Sequence, residues 1–411
     1  MKAKTKREPK QLEAPKWDFV NPFKPGAGQM PPYLAGRKSE EQDFRRLLDQ
    51  DVILENLILT GLRGVGKTVL LETFKPKAIG HNWLWVNTDL SESASVSEAA
   101  LLTRILADLA LVTAGISIED QTVMGFTRDP SQKLTYNTLV QIANERPGLA
   151  TDKLKYILEF VWHELPKDEG LKGIVFAYDE AQNLTDHASK GQFPLSMLLD
   201  AFQWIQRRNI PFMLALTGLP TLQQKLVEAR TYSERMFHVL FLEKLNEQES
   251  KEAILKPIED ADCPIRFDDS SVDSICEMSA GYPFFIQFIC REVYSVWIQK
   301  AAIGEQPSVP AREIIHKLDS DFFAGRWARA TDRQRDLLRI IAGLENCDSE
   351  FTLRDIIASS KTKKGKPFTS SHVNQMLASM SKSGLVYKNR HGKYLFAVPL
   401  LGQFIRRQEQ L

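Results

Sequence analysis

Gly61-Leu62-Arg63-Gly64-Val65-Gly66-Lys67-Thr68 follows directly on the apolar run Leu57-Ile58-Leu59, and this junction constrains the chain more tightly than anything else in it. The spacing G-x-x-x-x-G-K-T turns a buried strand sharply into a helix. Successive backbone N–H groups and the positive helix end then converge on a β-phosphate. Glycine serves where the phosphate sits almost on the backbone and where φ must be positive. In this reading Lys67 places its ammonium between the β- and γ-phosphates, and the Thr68 hydroxyl takes one coordination position of Mg²⁺. Val69 begins a helix expected to run to Phe74 and to close at Pro76. The ligand called for is a nucleotide.

Hydrolysis needs more than a phosphate loop. Ile174-Val175-Phe176-Ala177-Tyr178 is a continuous apolar run, the signature of a strand buried on both faces of a parallel sheet. It ends in Asp179-Glu180. There Asp179 would hold Mg²⁺ through water, and Glu180 would orient and deprotonate the attacking water. Gln182 and Asn183 extend the polar edge without an assigned role. A second strand, Pro211 to Leu216, ends in Thr217-Gly218, which would bring the Thr217 hydroxyl between the loop and the acids as a γ-phosphate sensor. Arg230 and Arg235 stand before a last short strand, Val239 to Leu242. In an oligomeric ATPase an arginine here reaches the neighbour's γ-phosphate. The alternative is an intrachain salt bridge, for instance to Glu228 or Glu234.

Helical patterns at Ser39–Asp49, Ser97–Val112, Thr151–Leu165, Leu195–Arg208 and Thr221–Ala229 alternate with these strands and with Trp83–Val86. Alternation at this interval means a parallel α/β sheet covered by helices on both sides. Residues 115–147 are polar and irregular, either an inserted helix or a loop over the site. Before the sheet, residues 17–37 are too rich in Pro and Gly for regular structure, and Trp17, Phe19, Phe23, Tyr33 and Leu34 need burial. Such a strap, ending at Gly36-Arg37, lies against base and ribose or simply packs on the core. Beyond Leu245 the strands stop. Residues 246–301 read as a small helical lid interrupted by Pro257, Pro264 and Pro283, and a connector leads to about Phe323. From about Thr331 the order is helix, short strand, helix, helix, ribbon, which is a winged helix-turn-helix. The domain reading is therefore arm and strap 1–37, P-loop domain 38–245, lid and connector 246–325, and winged helix 326–411.

With 43% hydrophobic and 26% charged residues the chain reads as an ordinary globular protein of two or three domains. No apolar run approaches the length of a membrane span, and Met1–Lys10 lacks the apolar core of a secretory leader. Cys263, Cys276, Cys290 and Cys347 form no metal or redox spacing, so reduced thiols and a cytoplasmic location are expected. The net charge of +1 hides an asymmetry: residues 328–411 carry 15 Lys and Arg against 7 Asp and Glu, a net +8 that leaves −7 for the rest. An anionic partner for the tail follows. In the tail, Ser370–Ser381 places Val373, Met376, Leu377 and Met380 inward and offers Ser371, His372, Asn374, Gln375 and Lys382 to a DNA groove. Lys361, Lys363, Lys364, Lys366, Lys388, Arg390 and Lys393 would meet the phosphates. Winged helices also dock proteins.

Taken together, the phosphate loop, the Asp-Glu strand end, the Thr-Gly strand end, the arginine box and the helical lid resemble the AAA+ ATPases of the replication-initiator and STAND neighbourhood. Asn21-Pro-Phe, Leu34-Ala-Gly-Arg37, Tyr232-Ser-Glu-Arg235-Met-Phe, Gly281-Tyr-Pro283-Phe-Phe and the tail from Arg390 look like a widespread bacterial group of ATP-binding proteins. The resemblance implies ATP and Mg²⁺ as cofactors, Arg37 and Pro283 at the nucleotide, duplex DNA or a homo-oligomer as partner, and no membrane. Replication initiators carry a nucleotide-sensing arginine in the lid, whereas here Pro283 is followed by Phe284-Phe285. That departure resembles the STAND branch and implies slow turnover.

Overall fold

The structure, a computed structural model, describes residues 20–116, 133–166, 170–263, 265–302, 308–362, 367–390 and 392–408. Trp17, Phe19, Lys363, Lys364 and Lys366, together with much of 115–147, lie outside them. The chain divides into two compact units, one formed by Gly36–Glu243 with Arg326–Leu411, the other by Met1–Ala35 with Lys244–Gly325.

The first unit is α/β. It opens with α1 (Lys38–Leu48), whose Glu40 and Glu41 in the first turn and Arg45 and Arg46 in the last complement the helix dipole. Then come β1 (Asn56–Gly61), α2 (Lys67–Gly80), β2 (Trp83–Asp89), α3 (Glu98–Thr113), α4 (Tyr136–Glu145), α5 (Ala150–Glu164), β3 (Gly173–Asp179), α6 (Pro194–Gln206), β4 (Phe212–Gly218), α7 (Thr221–Ala229) and β5 (Phe237–Leu242). The five strands are parallel in the order β2-β3-β4-β1-β5. β1, β3 and β4 are buried at every position, as apolar strands covered on both faces must be.

Alternation along the strands sorts the core into two layers. Ile58, Phe176, Tyr178, Leu214 and Leu216 join the large cluster built from α3 to α6. On the α1–α2 side Phe44 stacks on Phe74 at 4.2 Å and meets Trp85 edge-on at 6.2 Å. The same alternation turns Asp179 away from Tyr178 and toward α2.

Two expectations are corrected here. Pro76 does not close α2 but lies inside it. The proline removes one ladder hydrogen bond, yet the last turn persists because Ala78 is buried and Lys77 pairs with Glu41 of α1 at 3.0 Å. Pro257 likewise lies inside a helix that the Asn246–Glu249 capping box starts firmly.

The second unit is helical: α8 (Glu247–Asp260), α9 (Asp269–Ser279), α10 (Pro283–Ala302), α11 (Ala311–Leu318) and a π turn over Asp319–Phe323, with α12 (Ala324–Ala328) leading out of it. The strap belongs to this unit. Asn21 donates to Arg291 O and Ser295 Oγ, Lys24 N donates to Gln287 Oε1, and the Phe23 ring meets Tyr294. A backbone too rich in Pro and Gly to pair with itself has found its partners on α10.

The tail, within the first unit, runs α13 (Asp332–Ala342), β6 (Phe351–Thr352), α14 (Leu353–Thr362), α15 (Ser370–Lys382), β7 (Val386–Arg390), β8 (Lys393–Phe396) and α16 (Leu401–Gln408). Its antiparallel strands are ordered β6-β8-β7. β7 packs against α7, and a Cβ built on Gly384 would lie 3.9 Å from Nη2 of Arg63.

Candidate functional site

The carboxyl ends of β1, β3 and β4 converge on the loop Gly61–Thr68. Register explains why: Leu59 of β1 lies opposite Thr217 of β4, and Asp89 of β2 lies opposite Asp179 of β3. β4 stands between the loop strand and the acid strand, so the acids come from one strand further than an adjoining strand would place them. That intervening strand is what brings Thr217 into the space between them.

Gly61 admits no side chain, because a Cβ there would fall 2.5 Å from Leu242 O of β5. Gly66, at φ 92°, caps α2 in the left-handed region with no side chain spanning its first amides. The N–H groups of that first turn, where Val69 also sits, are arranged as an anion would require. Lys67 donates to Gly61 O at 2.9 Å and Leu62 O at 2.8 Å. Burial pushes its ammonium down to about 8 against the pull of Asp179 and Glu180, and Arg63 adds to the drop. Arg63 itself is exposed.

Thr68 Oγ1 donates to Asp179 Oδ2 at 2.5 Å, and Glu180 N donates to Asp179 Oδ1 at 2.7 Å. Burial raises the Asp179 carboxyl above its ordinary value, with Glu180 and Asp89 adding to the rise, although both of these hydrogen bonds oppose it. A hydroxyl and a buried carboxylate in contact are the donor set that suits a hard divalent cation. Thr217 is fully buried and its Oγ1 has no hydrogen-bond partner among the described residues. A buried orphan hydroxyl at a strand end, beside these groups, fits a ligand oxygen. Glu180 is exposed and holds φ 51°, ψ 31°, a left-handed conformation that costs a non-glycine residue free energy and clusters at functional sites.

Of the other residues singled out, Arg37 is buried and spends its guanidinium on the loop's support. It donates to Val65 O at 3.0 Å, Glu243 O at 2.9 Å and Gly36 O at 3.3 Å, and pairs with Glu40. Arg230 forms a two-pronged pair with Asp200 at 2.8 and 2.7 Å and also donates to Ser196. Its ion pair is therefore intrachain, with Asp200 rather than Glu228 or Glu234. Arg235 is exposed on the 3-10 turn Thr231–Arg235, with no ion pair among the described residues. Pro283 opens α10 in the helical unit.

Sequence reasoning left Gln182 without a role. Its Nε2 donates to Glu180 Oε2, its Oε1 accepts from Leu219 N at 3.0 Å, and its own carbonyl accepts from Lys225 at 2.6 Å. Its position two residues past the acids was the only available signal.

With this geometry in view, residues 33–227 match the family model described as AAA ATPase domain. Residues 320–405 match one described as a domain of unknown function. No curated protein matches the chain. Among solved structures it is similar to the Walker-type ATPase PABY2304 of Pyrococcus abyssi, at 14% identity over 91% of this chain and 96% of that one, with a TM-score of 0.58. It is also similar to the ORC2 protein of Aeropyrum pernix in its ADP form, at 15% identity over 92% and 96%, with a TM-score of 0.50. At such identities the likeness is one of fold. Residues 33–227 are thus similar to the AAA ATPase domain model, and the α/β fold they belong to is similar to that of these two structures.

Proposed function

We propose that the protein binds ATP with Mg²⁺ at Gly61–Thr68, hydrolyses it slowly, and uses its nucleotide state to control DNA binding or assembly through a C-terminal winged helix. The contact of Thr68 with Asp179 at 2.5 Å carries the reading. It brings the phosphate loop and the acid strand to one point, with the unpartnered Thr217 hydroxyl on the strand between. Thr68 and Asp179 would hold the Mg²⁺, which would supply positive charge to offset that developing during cleavage. The chain does the rest. Lys67 exchanges its two carbonyl partners for phosphate oxygens. Glu180 takes the proton of the attacking water. Thr217 fixes the water or the γ-phosphate by hydrogen bonding, and Arg37 braces the loop through Val65 O. Arg235, exposed, is available to the γ-phosphate of a second copy.

For the tail, Val373, Met376, Leu377 and Met380 are buried, while Ser371, His372, Asn374, Gln375 and Lys382 are exposed. A polar, cationic helix face of this kind suits a major groove. The test is a gel shift with duplex DNA at moderate salt, combined with ATP turnover with and without that DNA. Retarded DNA and altered turnover are expected. If neither occurs, the second reading gains: a slow ATP/ADP switch whose winged helix docks protein. The observation favouring it is the seat of β7 on α7 and of Gly384 beside Arg63, where Arg326 also sits with its guanidinium pushed down by burial and by Arg63 and Arg329.

A further inference from the structure

Gln182 is held from three sides, and the pattern fixes which way its amide points. Leu219 N–H donates to Oε1 at 3.0 Å, so that atom is the oxygen and Nε2 is left to face the Glu180 carboxylate, to which it donates. Lys225 of α7 holds the Gln182 backbone carbonyl at 2.6 Å. Gly218 makes room: a Cβ there would lie 2.7 Å from Gln182 Oε1 and 3.0 Å from Leu222. Leu219 is two residues beyond Thr217, whose buried hydroxyl awaits a partner. A single side chain therefore spans from the carboxylate at the end of β3 to the backbone at the end of β4.

We propose that Gln182 is a positioning residue for ATP hydrolysis, holding the Glu180 carboxylate at the water and setting its place by the strand end that carries Thr217. This rests on the assignment of Glu180 as base. A carboxylate with one fixed donor loses rotational freedom without losing basicity to a full positive charge, and a nucleophilic water is oriented only if its base is. Because the reference point is β4, any shift of Thr217 on meeting a γ-phosphate reaches Glu180 through two hydrogen bonds.

The experiment compares Gln182→Ala and Gln182→Glu, with Glu180→Gln alongside, in the full chain. Alanine removes both arms. Glutamate keeps an oxygen for Leu219 N but replaces the donor facing Glu180 with a second carboxylate. If Gln182 only pinned the β4–α7 loop, glutamate would preserve function. The expected result is that both variants lower kcat by about tenfold or more, the worth of one charge-assisted hydrogen bond. KM and the ATP dissociation constant should stay within about twofold, since uniform binding is untouched. In nucleotide-free protein, amide exchange at Leu219 should quicken in Gln182→Ala and stay slow in Gln182→Glu. Wild-type kcat in Gln182→Glu would overturn the inference, as would exchange at Leu219 that ignores both substitutions. Continued turnover by Glu180→Gln would instead remove the base assignment underneath it, so the two failures are told apart.

Discussion

At the scale of single residues, the proposed site separates holding from cutting. Lys67 already touches two loop carbonyls, so its loss leaves both the phosphates and the loop without a partner. Lys67→Ala should abolish ATP binding in a fluorescence titration. Glu180→Gln keeps the size and most hydrogen bonding of the side chain while removing the proposed base. It should bind ATP as wild type does and lose about 100-fold or more in turnover, the usual worth of a positioned base. Thr217→Ala should lower kcat about tenfold with ATP affinity nearly unchanged, because the hydroxyl has no hydrogen-bond partner to lose among the described residues. These three proposed roles were suggested by residue type and spacing. Gln182 could not, because its contacts depend on how the β4–α7 turn folds back onto the end of β3, a tertiary fact with no local signature.

Among the elements, β3 sets the position of both acids, and its start leaves no room for a side chain. A Cβ on Gly173 would lie 1.9 Å from Pro211 O and 2.8 Å from the Trp83 ring. Gly173→Ala should therefore destabilise the protein by about 2–4 kcal/mol, through overpacking of backbone against backbone, seen as a lower urea midpoint. Arg230 ties α7 to α6 through Asp200, whose carboxyl burial pushes up but which ends below its ordinary value because hydrogen bonds from Arg230 and Tyr232 and the charges of Arg230 and Lys155 together outweigh burial. Arg230→Ala should cost about 1–2 kcal/mol, discounted for its partial exposure, and leave Glu180-dependent turnover in place. A residue acting on a neighbour's nucleotide would behave differently. Strands were legible in the sequence because a doubly covered strand must be apolar throughout, as Ile174–Tyr178 is. α4 was legible only as one of two alternatives, an inserted helix or a loop, since Tyr136–Glu145 is short and follows a polar stretch. α2 and α8 outran their prolines because tertiary burial and capping outweighed one lost hydrogen bond. The strap's partner was hidden for the same reason as that of Gln182: α10 is some 270 residues away in sequence.

For the whole molecule, the charge split gives the proposed DNA contact a measurable form. Binding should weaken steeply with salt, and Lys388→Ala or Lys393→Ala should each reduce the log–log salt slope by about one, leaving sequence preference intact. No helix among the described residues is long and apolar enough to cross a membrane. The first unit joins the nucleotide loop and the tail in one body, with β7 against α7, so occupancy at the loop has a packed route to the tail. Everything depends, however, on the loop taking a nucleotide. The most direct measurement is isothermal titration calorimetry of the full chain with ATP and Mg²⁺, run beside Lys67→Ala. Saturable uptake of one ATP per chain, lost in the variant, is the result this account predicts. No heat of binding in the wild type, or equal uptake by both proteins, would contradict it.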